Sequence, residues 1–447
     1  MKDRIKLVLT GLAMTIFHLA FAQDKPITLN EAIDLSIKNS KQLKINAAKI
    51  EQASASVREA LDRRLPDASF SGSYLRLNNP NIDLKTKSSS SGGSGGGSGS
   101  GPAKVSQALY GMANASLPIY AGGRIRYGIE SSKFLEQAEK LDAENNKEAL
   151  IENTVEAYIN LYKAKSAVNL YNQNLVQAQQ RVKTFTSLEQ NGLLARNDLL
   201  KAQLQTSNTE LALLDAQNNW QLANVNMNLM LGLPQSTVLA PDSTVINQSF
   251  SVNGLDDYIQ SALKNRKDIE AMDYRKQAAD VGVKATKGEL YPSVALTGGY
   301  IAADIPKLLT ITNAVNIGVG VSYNIASLWK TKAKIEVAEA RSKELAATQE
   351  LMDNNIRLQV NKAYLNWLSS QKKIEVYAKA IEQAQENYRI VNNKYNNQLA
   401  TTQELIDADV AELQARLNYA FAKADAVVVY NQLLLSSGLL SQPQQNK

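Results

Sequence analysis

The chain has 447 residues, with 49 Lys and Arg against 43 Asp and Glu, and a formal net charge of +6. It contains no cysteine, which excludes disulfides and thiolate metal sites, and its one histidine is His18. The modest, dispersed charge does not indicate nucleic-acid binding, and we find no Walker-type phosphate loop.

The first 22 residues have the pattern of a secretory signal peptide. Basic residues precede an apolar stretch from Leu7 to Ala20, and Ala20-Phe21-Ala22 fits the small-x-small cleavage rule. Cleavage would leave a mature chain that begins at Gln23. That mature chain would lack imidazole, the commonest general base, so the prospect of catalysis falls. An uncleaved membrane anchor is the alternative, although the apolar stretch is short for a bilayer.

The rest of the chain is an internal repeat. Leu29 recurs as Leu255 and Tyr74 as Tyr300, an offset of 226 residues, whereas Ser116 recurs as Ser322 at an offset of 206. Repeat one, residues 23–233, therefore carries an insertion that holds a Ser/Gly-rich loop, residues 86–104. A linker, residues 234–254, leads to repeat two, residues 255–439, and a polar tail, residues 440–447, follows.

Each repeat begins with a helix and continues with two segments in which apolar residues alternate with small or polar ones. Alternation of this kind predicts strands at about 67–77 and 107–120 in repeat one, and at about 293–303 and 313–326 in repeat two. Their length suits tilted strands that cross an outer membrane. Five aromatic residues near the strand ends are predicted to lie at the membrane interfaces: Tyr74, Tyr120, Tyr291, Tyr300 and Trp329. A soluble pair of hairpins packed on the helices is the alternative.

A helical hairpin follows each pair of strands. No proline occurs from Tyr120 to Leu233, and residues 126–190 could form one helix of about 100 Å. The steps of three and four between apolar residues are those of a coiled-coil seam. The hairpin tips are predicted near Asn191-Gly192 and Asn396-Asn397.

Four strands cannot close a barrel, and open sheet edges are not tolerated in lipid. The chain must therefore form an oligomer if these strands span a membrane. Two copies would give eight strands, whose interior is filled by side chains, while three copies would give twelve strands and room for a channel. Three or more copies are favoured on this ground.

The signal, the segment Ile27–Ile33, the two unequal repeats and the tip sequences together resemble the TolC family of outer-membrane efflux and secretion ducts. The resemblance implies a mainly α protein with a small transmembrane β part. It also implies a homotrimer with a 12-stranded barrel and a 12-helix periplasmic tunnel. The implied partners are outer-membrane lipid, a periplasmic adaptor (membrane fusion protein) and an inner-membrane transporter, and no cofactor is expected.

The resemblance also assigns roles to residues at the tips. Gly192, Leu193 and Leu399 match the family's adaptor-docking turns, and Gln398 replaces the usual glycine of the second turn. Glu404 and Asp407 match acidic positions that form a ring at the periplasmic gate. Like charges in such a ring would raise some pKa values and favour bound cations. Ordinary solvated helix polarity is the alternative reading of this acidic pair.

The sequence thus predicts a passive exit duct of a tripartite efflux pump or type I secretion system, in the outer membrane with a long periplasmic portion. The alternatives are a periplasmic adaptor and a structural coiled-coil protein that spans the envelope without transport. An enzyme is a distant further alternative, because no second motif supports a catalytic carboxylate pair.

Overall fold

The computed structural model describes residues 25–78, 80, 105–248, 250–306 and 308–440. The predicted signal peptide, the Ser/Gly-rich loop 86–104 and nearly all of the polar tail lie outside these residues. In chain order the elements are β1 (Lys25–Ile27), α1 (Leu29–Asn39), α2 (Lys41–Asp62), β2 (Asp67–Arg76), β3 (Gln107–Ala121), α3 (Arg124–Gln190), α4 (Arg196–Leu231), β4 (Leu239–Pro241), α5 (Leu255–Asn265), α6 (Lys267–Lys287), β5 (Ser293–Ile305), β6 (Leu309–Ser322), α7 (Ser327–Asn396) and α8 (Thr402–Ser436).

The long helices α3 and α7 have 67 and 70 residues and end where the chain supplies a turn. Helices of this length are stable only when an apolar stripe is packed along them. The stripe is supplied within each hairpin and between hairpins. Near the tips, for example, Phe185 of α3, Leu199 of α4 and Leu405 of α8 are buried in one cluster.

Contacts divide the chain into two compact units, and neither unit corresponds to one repeat. The first unit comprises residues up to 49, 140–271 and 349 onwards. It contains α4, α8, the parts of α3 and α7 that lead to the hairpin tips, and the short parallel pair formed by β1 and β4. Its largest core cluster includes Ile27, Tyr158, Leu231 and Val427, which come from both repeats. The repeats are therefore units of sequence and not of packing, because helices of one repeat bury their apolar faces against those of the other.

The second unit comprises residues 50–139 and 272–348 and contains a four-stranded antiparallel sheet. The strand order is β2-β3-β5-β6, so the central pair joins the two repeats. The fourth strand differs from the prediction of 313–326, since β6 begins at Leu309 and ends at Ser322. Asn324 ends it: its backbone carbonyl accepts from the Ser327 N–H, and its side chain accepts from the Ala326 N–H at 3.1 Å, forming the turn into α7.

Candidate functional site

Both hairpin tips are Schellman turns with the same backbone. In the first, the Leu193 N–H donates to the Leu188 carbonyl at 2.8 Å and Gly192 has φ +73°. In the second, the Leu399 N–H donates to the Lys394 carbonyl at 2.8 Å and Gln398 has φ +60°. Replacement of glycine by Gln398 therefore leaves the turn geometry unchanged, although a left-handed glutamine carries a steric cost.

The two predicted docking leucines occupy the same position in these turns. Leu193 is 74% exposed and Leu399 is 76% exposed, each directly after the left-handed residue. A single exposed leucine on a turn is common, but here an exposed leucine occupies the same position at both tips. The pair forms a candidate docking surface.

The helices that leave the two tips begin differently. Thr401 caps α8 through a capping box, in which its side chain accepts from the Glu404 N–H while Glu404 accepts from the Thr401 N–H at 2.6 Å. Ala195 precedes α4 and supplies no side-chain cap. Near that uncapped start, Arg196 of α4 pairs with Glu189 of α3 at 3.2 Å.

Glu404, one of the two predicted gate residues, is thus also a helix-capping residue. The Thr401 N–H and hydroxyl donate to its carboxylate and hold the pKa of Glu404 below its ordinary value. This direction is opposite to the rise expected from a ring of like charges, because local hydrogen bonding to the charged form dominates within one chain. Asp407 is exposed one turn later and accepts from the Gln403 amide at 2.8 Å.

A buried polar network between three helices was not predicted. Arg181 of α3 lies 2.9 Å from Asp409 of α8, and the two side chains are only 10% and 5% exposed. Asn174 donates to the second Asp409 oxygen at 3.4 Å and accepts from Thr209 of α4 at 3.5 Å. Sequence reasoning missed this network because a polar residue beside a coiled-coil seam has the same pattern whether it is solvated or buried.

One face of the four-stranded sheet is apolar and exposed. The register places Phe70, Ala113, Tyr300 and Val315 in one row across the strands. Exposed aliphatic residues continue this face along β6; they are Val315, Ile317, Val319 and Val321, and Ile317 reaches 81%. A monomeric soluble protein rarely leaves an apolar patch of this extent uncovered.

In the half of the sheet nearer the helices, the other face is small and polar, whereas further along the strands it carries Met112 and Ile301. Asn114, Gly299 and Asn316 lie in one row, and a Cβ on Gly299 would meet the Asn316 Oδ1 at 2.8 Å and the Asn114 Oδ1 at 3.0 Å. A side chain at position 299 would therefore have to displace these two amides. The sheet is therefore two-sided, as a wall between lipid and water must be.

All five predicted interface aromatics are exposed. A bulge between Pro118 and Tyr120 makes Tyr120, and not Ile119, the partner of Val294 on the apolar face. At the other end, Tyr74 is level with Asp304, whereas Tyr300 is four residues nearer the helices, about 13 Å along the strand. These two tyrosines therefore lie at different levels in the register and do not form one row.

Within the part of the chain that the structure describes, we find no helix long and apolar enough to cross a membrane. The sequence model of one family, described as "Outer membrane efflux protein", matches residues 32–233 and 258–439, which is most of the chain. The chain belongs to the outer membrane efflux protein family. This membership confirms the resemblance deduced from the tips and repeats, together with the outer-membrane location and the role as an efflux duct.

Individual relatives of this family are distant in sequence and close in fold. The chain is 22% identical to the outer membrane efflux protein BepC of Brucella suis, over 73% of this chain and 71% of BepC. It is 22% identical to the pyoverdine export outer membrane protein OpmQ of Pseudomonas putida, over 91% and 85%. The crystal structure of VceC from Vibrio cholerae superposes with a TM-score of 0.75 at 18% identity, covering 92% of this chain and 96% of VceC. The predicted fold class, mainly α with a small β part, is confirmed, and the two sequence relatives are an efflux protein and an export protein of the outer membrane.

Proposed function

We propose that three copies of this chain close into one duct, with a 12-stranded barrel in the outer membrane and a helical tunnel in the periplasm. The observation that carries the proposal is the sheet, which has an exposed apolar face and two unpaired edges. In lipid each unpaired backbone group costs several kcal/mol, so the edges β2 and β6 must find partners.

The strand directions allow the two edges of neighbouring copies to pair in the same antiparallel way as the strands within one copy. Neighbouring strands in the order β2-β3-β5-β6 are all antiparallel, so β6 runs opposite to β2. The β6 edge of one copy can therefore pair with the β2 edge of the next in the same antiparallel sense. Three copies give a bore wide enough for water, whereas eight strands from two copies would be filled by side chains.

Exposed leucines on two helices of the other unit support the same assembly. On α4 they are Leu200, Leu204, Leu211, Leu214, Leu222 and Leu229, and on α7 they are Leu351, Leu358, Leu365 and Leu368. Leu222 lies 30 residues after Gly192, and Leu365 lies 33 residues before Gln398, so both are at similar distances from their tips. We expect the α4 stripe of one copy to meet the α7 stripe of its neighbour.

The absence of cysteine makes this interface testable by crosslinking. The double variant Leu222→Cys with Leu365→Cys should form disulfides that link three chains in oxidising conditions. The matched pair Leu222→Cys with Arg357→Cys, which moves one cysteine to a charged position on α7, should crosslink less. Monomer after oxidation in both cases would contradict this arrangement.

The proposed duct is passive and is gated at its tips. Leu193 and Leu399 would contact a periplasmic adaptor, which in turn binds an inner-membrane transporter of a tripartite pump or a type I secretion system. The adaptor can open the duct only if it binds the open arrangement of the hairpins more tightly than the closed one. Energy for export would come from the transporter, since this chain carries no nucleotide motif.

Conductance tests the duct directly. Purified protein reconstituted in planar bilayers should form a stable trimer and give discrete conductance steps. A monomer that stays soluble without detergent, or a trimer that never conducts, would refute the duct; the second result would favour a structural tether.

The acidic ring at the gate is tested with the capping role of Glu404 preserved. Glutamine also completes a capping box, so Glu404→Gln with Asp407→Asn removes both charges and retains the helix start. We expect this double variant to lose cation preference and block by divalent cations. Unchanged selectivity and block would eliminate the ring.

A further inference from the structure

A trough of about 820 Å³ lies on the helical part of the sheet-bearing unit. Residues of α3, α6 and α7 line it, and α6 lies between the other two helices. On one side, the Ser131 hydroxyl of α3 donates to the Ala278 carbonyl of α6 at 3.0 Å. On the other side, Lys287 of α6 pairs with Glu339 of α7 at 2.8 Å. The trough is therefore a hollow with α6 as its floor.

The trough has a mainly apolar lining that also contains three basic residues, Arg275, Lys334 and Arg341. Leu135, Val337 and Leu345 contribute aliphatic surface, and Val337 is 70% exposed. Gly282 in the floor adds depth, because a Cβ built there would meet no atom within 4 Å. Its volume is within the range of sites that bury small organic ligands.

The basic groups of the trough are not equivalent, and Arg275 already has an interaction partner. Lys334 is neutralised by Glu289 at 2.6 Å. Arg341 is exposed and, among the residues described, has no carboxylate oxygen within 4.0 Å. A planar guanidinium that is free to make two parallel hydrogen bonds suits a carboxylate, sulfonate or phosphate group. Charge complementarity therefore favours an anion over a cation or a neutral solute.

We propose that the trough is a binding site for amphipathic organic anions. The apolar part of the solute packs between Val337 and Leu135, and its anionic group pairs with Arg341.

Calorimetric titration of the purified, detergent-solubilised protein with naphthalene-1-sulfonate tests the site. This rigid anion does not form micelles at working concentrations. Arg341→Gln should weaken binding about tenfold, the usual loss for a hydrogen-bonded charge. Gly282→Leu should also weaken it, because leucine fills the trough while improving helix propensity. Arg357→Gln, at an exposed arginine of α7 that does not line the trough, should bind like the wild type.

The matched cation 1-naphthylmethylammonium should bind at least tenfold more weakly than the sulfonate to the wild-type protein. Equal affinity for both ions, equal affinity of all variants, or no binding because a neighbouring subunit covers the trough would each overturn the proposal. Conductance of the wild-type protein without added solute tests the duct separately. A conducting trimer without the site and a non-conducting protein with the site are therefore different results.

Discussion

Removal of the Asp409 carboxylate should loosen the tips more than any other single acidic substitution on α8. Its partner Arg181 is 90% buried in side-chain terms, and the two charges are 2.9 Å apart. Asp409→Ala would leave the guanidinium buried without a counter-charge and Asn174 without its acceptor. Loss of one member of a buried pair costs about 3–5 kcal/mol.

The exposed neighbour provides a matched control. Asp407 lies two residues before Asp409 on the same helix and faces solvent. Asp407→Ala should change local stability by no more than about 0.5 kcal/mol, as surface substitutions usually do. The double variant Arg181→Met with Asp409→Leu should recover most of the loss, because apolar residues of similar size can replace a buried ion pair.

Hydrogen exchange followed by mass spectrometry would measure the effect on peptides of α3 and α8. A loss of 3–5 kcal/mol corresponds to opening that is more frequent by about 10²-fold to 4 × 10³-fold, since 1.4 kcal/mol is a factor of ten. The reasoning fails if Asp409→Ala and Asp407→Ala exchange at the same rate. It fails equally if the double variant is as unstable as Asp409→Ala, since the cost would then not arise from the unpaired charge.

Three further outcomes follow from local geometry. Gln398→Gly should stabilise the second tip by about 1 kcal/mol in chemical unfolding, because glycine adopts the left-handed conformation without the steric cost that glutamine carries. Gly192→Gln should destabilise the first tip by a similar amount. If both variants are as stable as the wild type, the turns carry no strain. Ile317→Lys should cost about 2–4 kcal/mol on folding into vesicles, whereas Asn316→Lys on the opposite face should insert normally and shift ion selectivity towards anions. Equal insertion of the two variants would contradict the assignment of one face to lipid and the other to water. The lowered pKa of Glu404 implies that its carboxylate stabilises α8 fully above the ordinary pKa of 4.5, and that this stabilisation is lost as pH falls through the lower folded pKa. Limited proteolysis at the tip should therefore increase in acid, and Glu404→Gln should remove this pH dependence. If the dependence persists in Glu404→Gln, another group is responsible for it.

Much of the fold could be predicted because the decisive signals are local and periodic. The seam on α3 and the lack of proline indicate a long helix, and the alternation around Val315 indicates a two-faced strand. Gly192 marks a turn on its own, since glycine readily adopts a positive φ. Gln398 does not mark a turn on its own, so its left-handed conformation follows from the turn that both repeats share.

The sequence by itself determined the hairpins and the strands, because these rest on residues near one another in the chain. It also determined the repeats and the family, because both are recognised by matching residue types and need no knowledge of contacts. Only the tertiary structure decided which polar side chains are buried, that Arg181 and Asp409 meet, and that Arg341 stands over an apolar trough. These contacts join helices separated by many residues, and a 3.6-residue period says which face a side chain occupies but not what that face meets. The bulge before Tyr120 could not be predicted from the sequence either. One additional residue in a strand moves the following side chains to the opposite face, and only the pairing with the neighbouring strand shows where that residue lies.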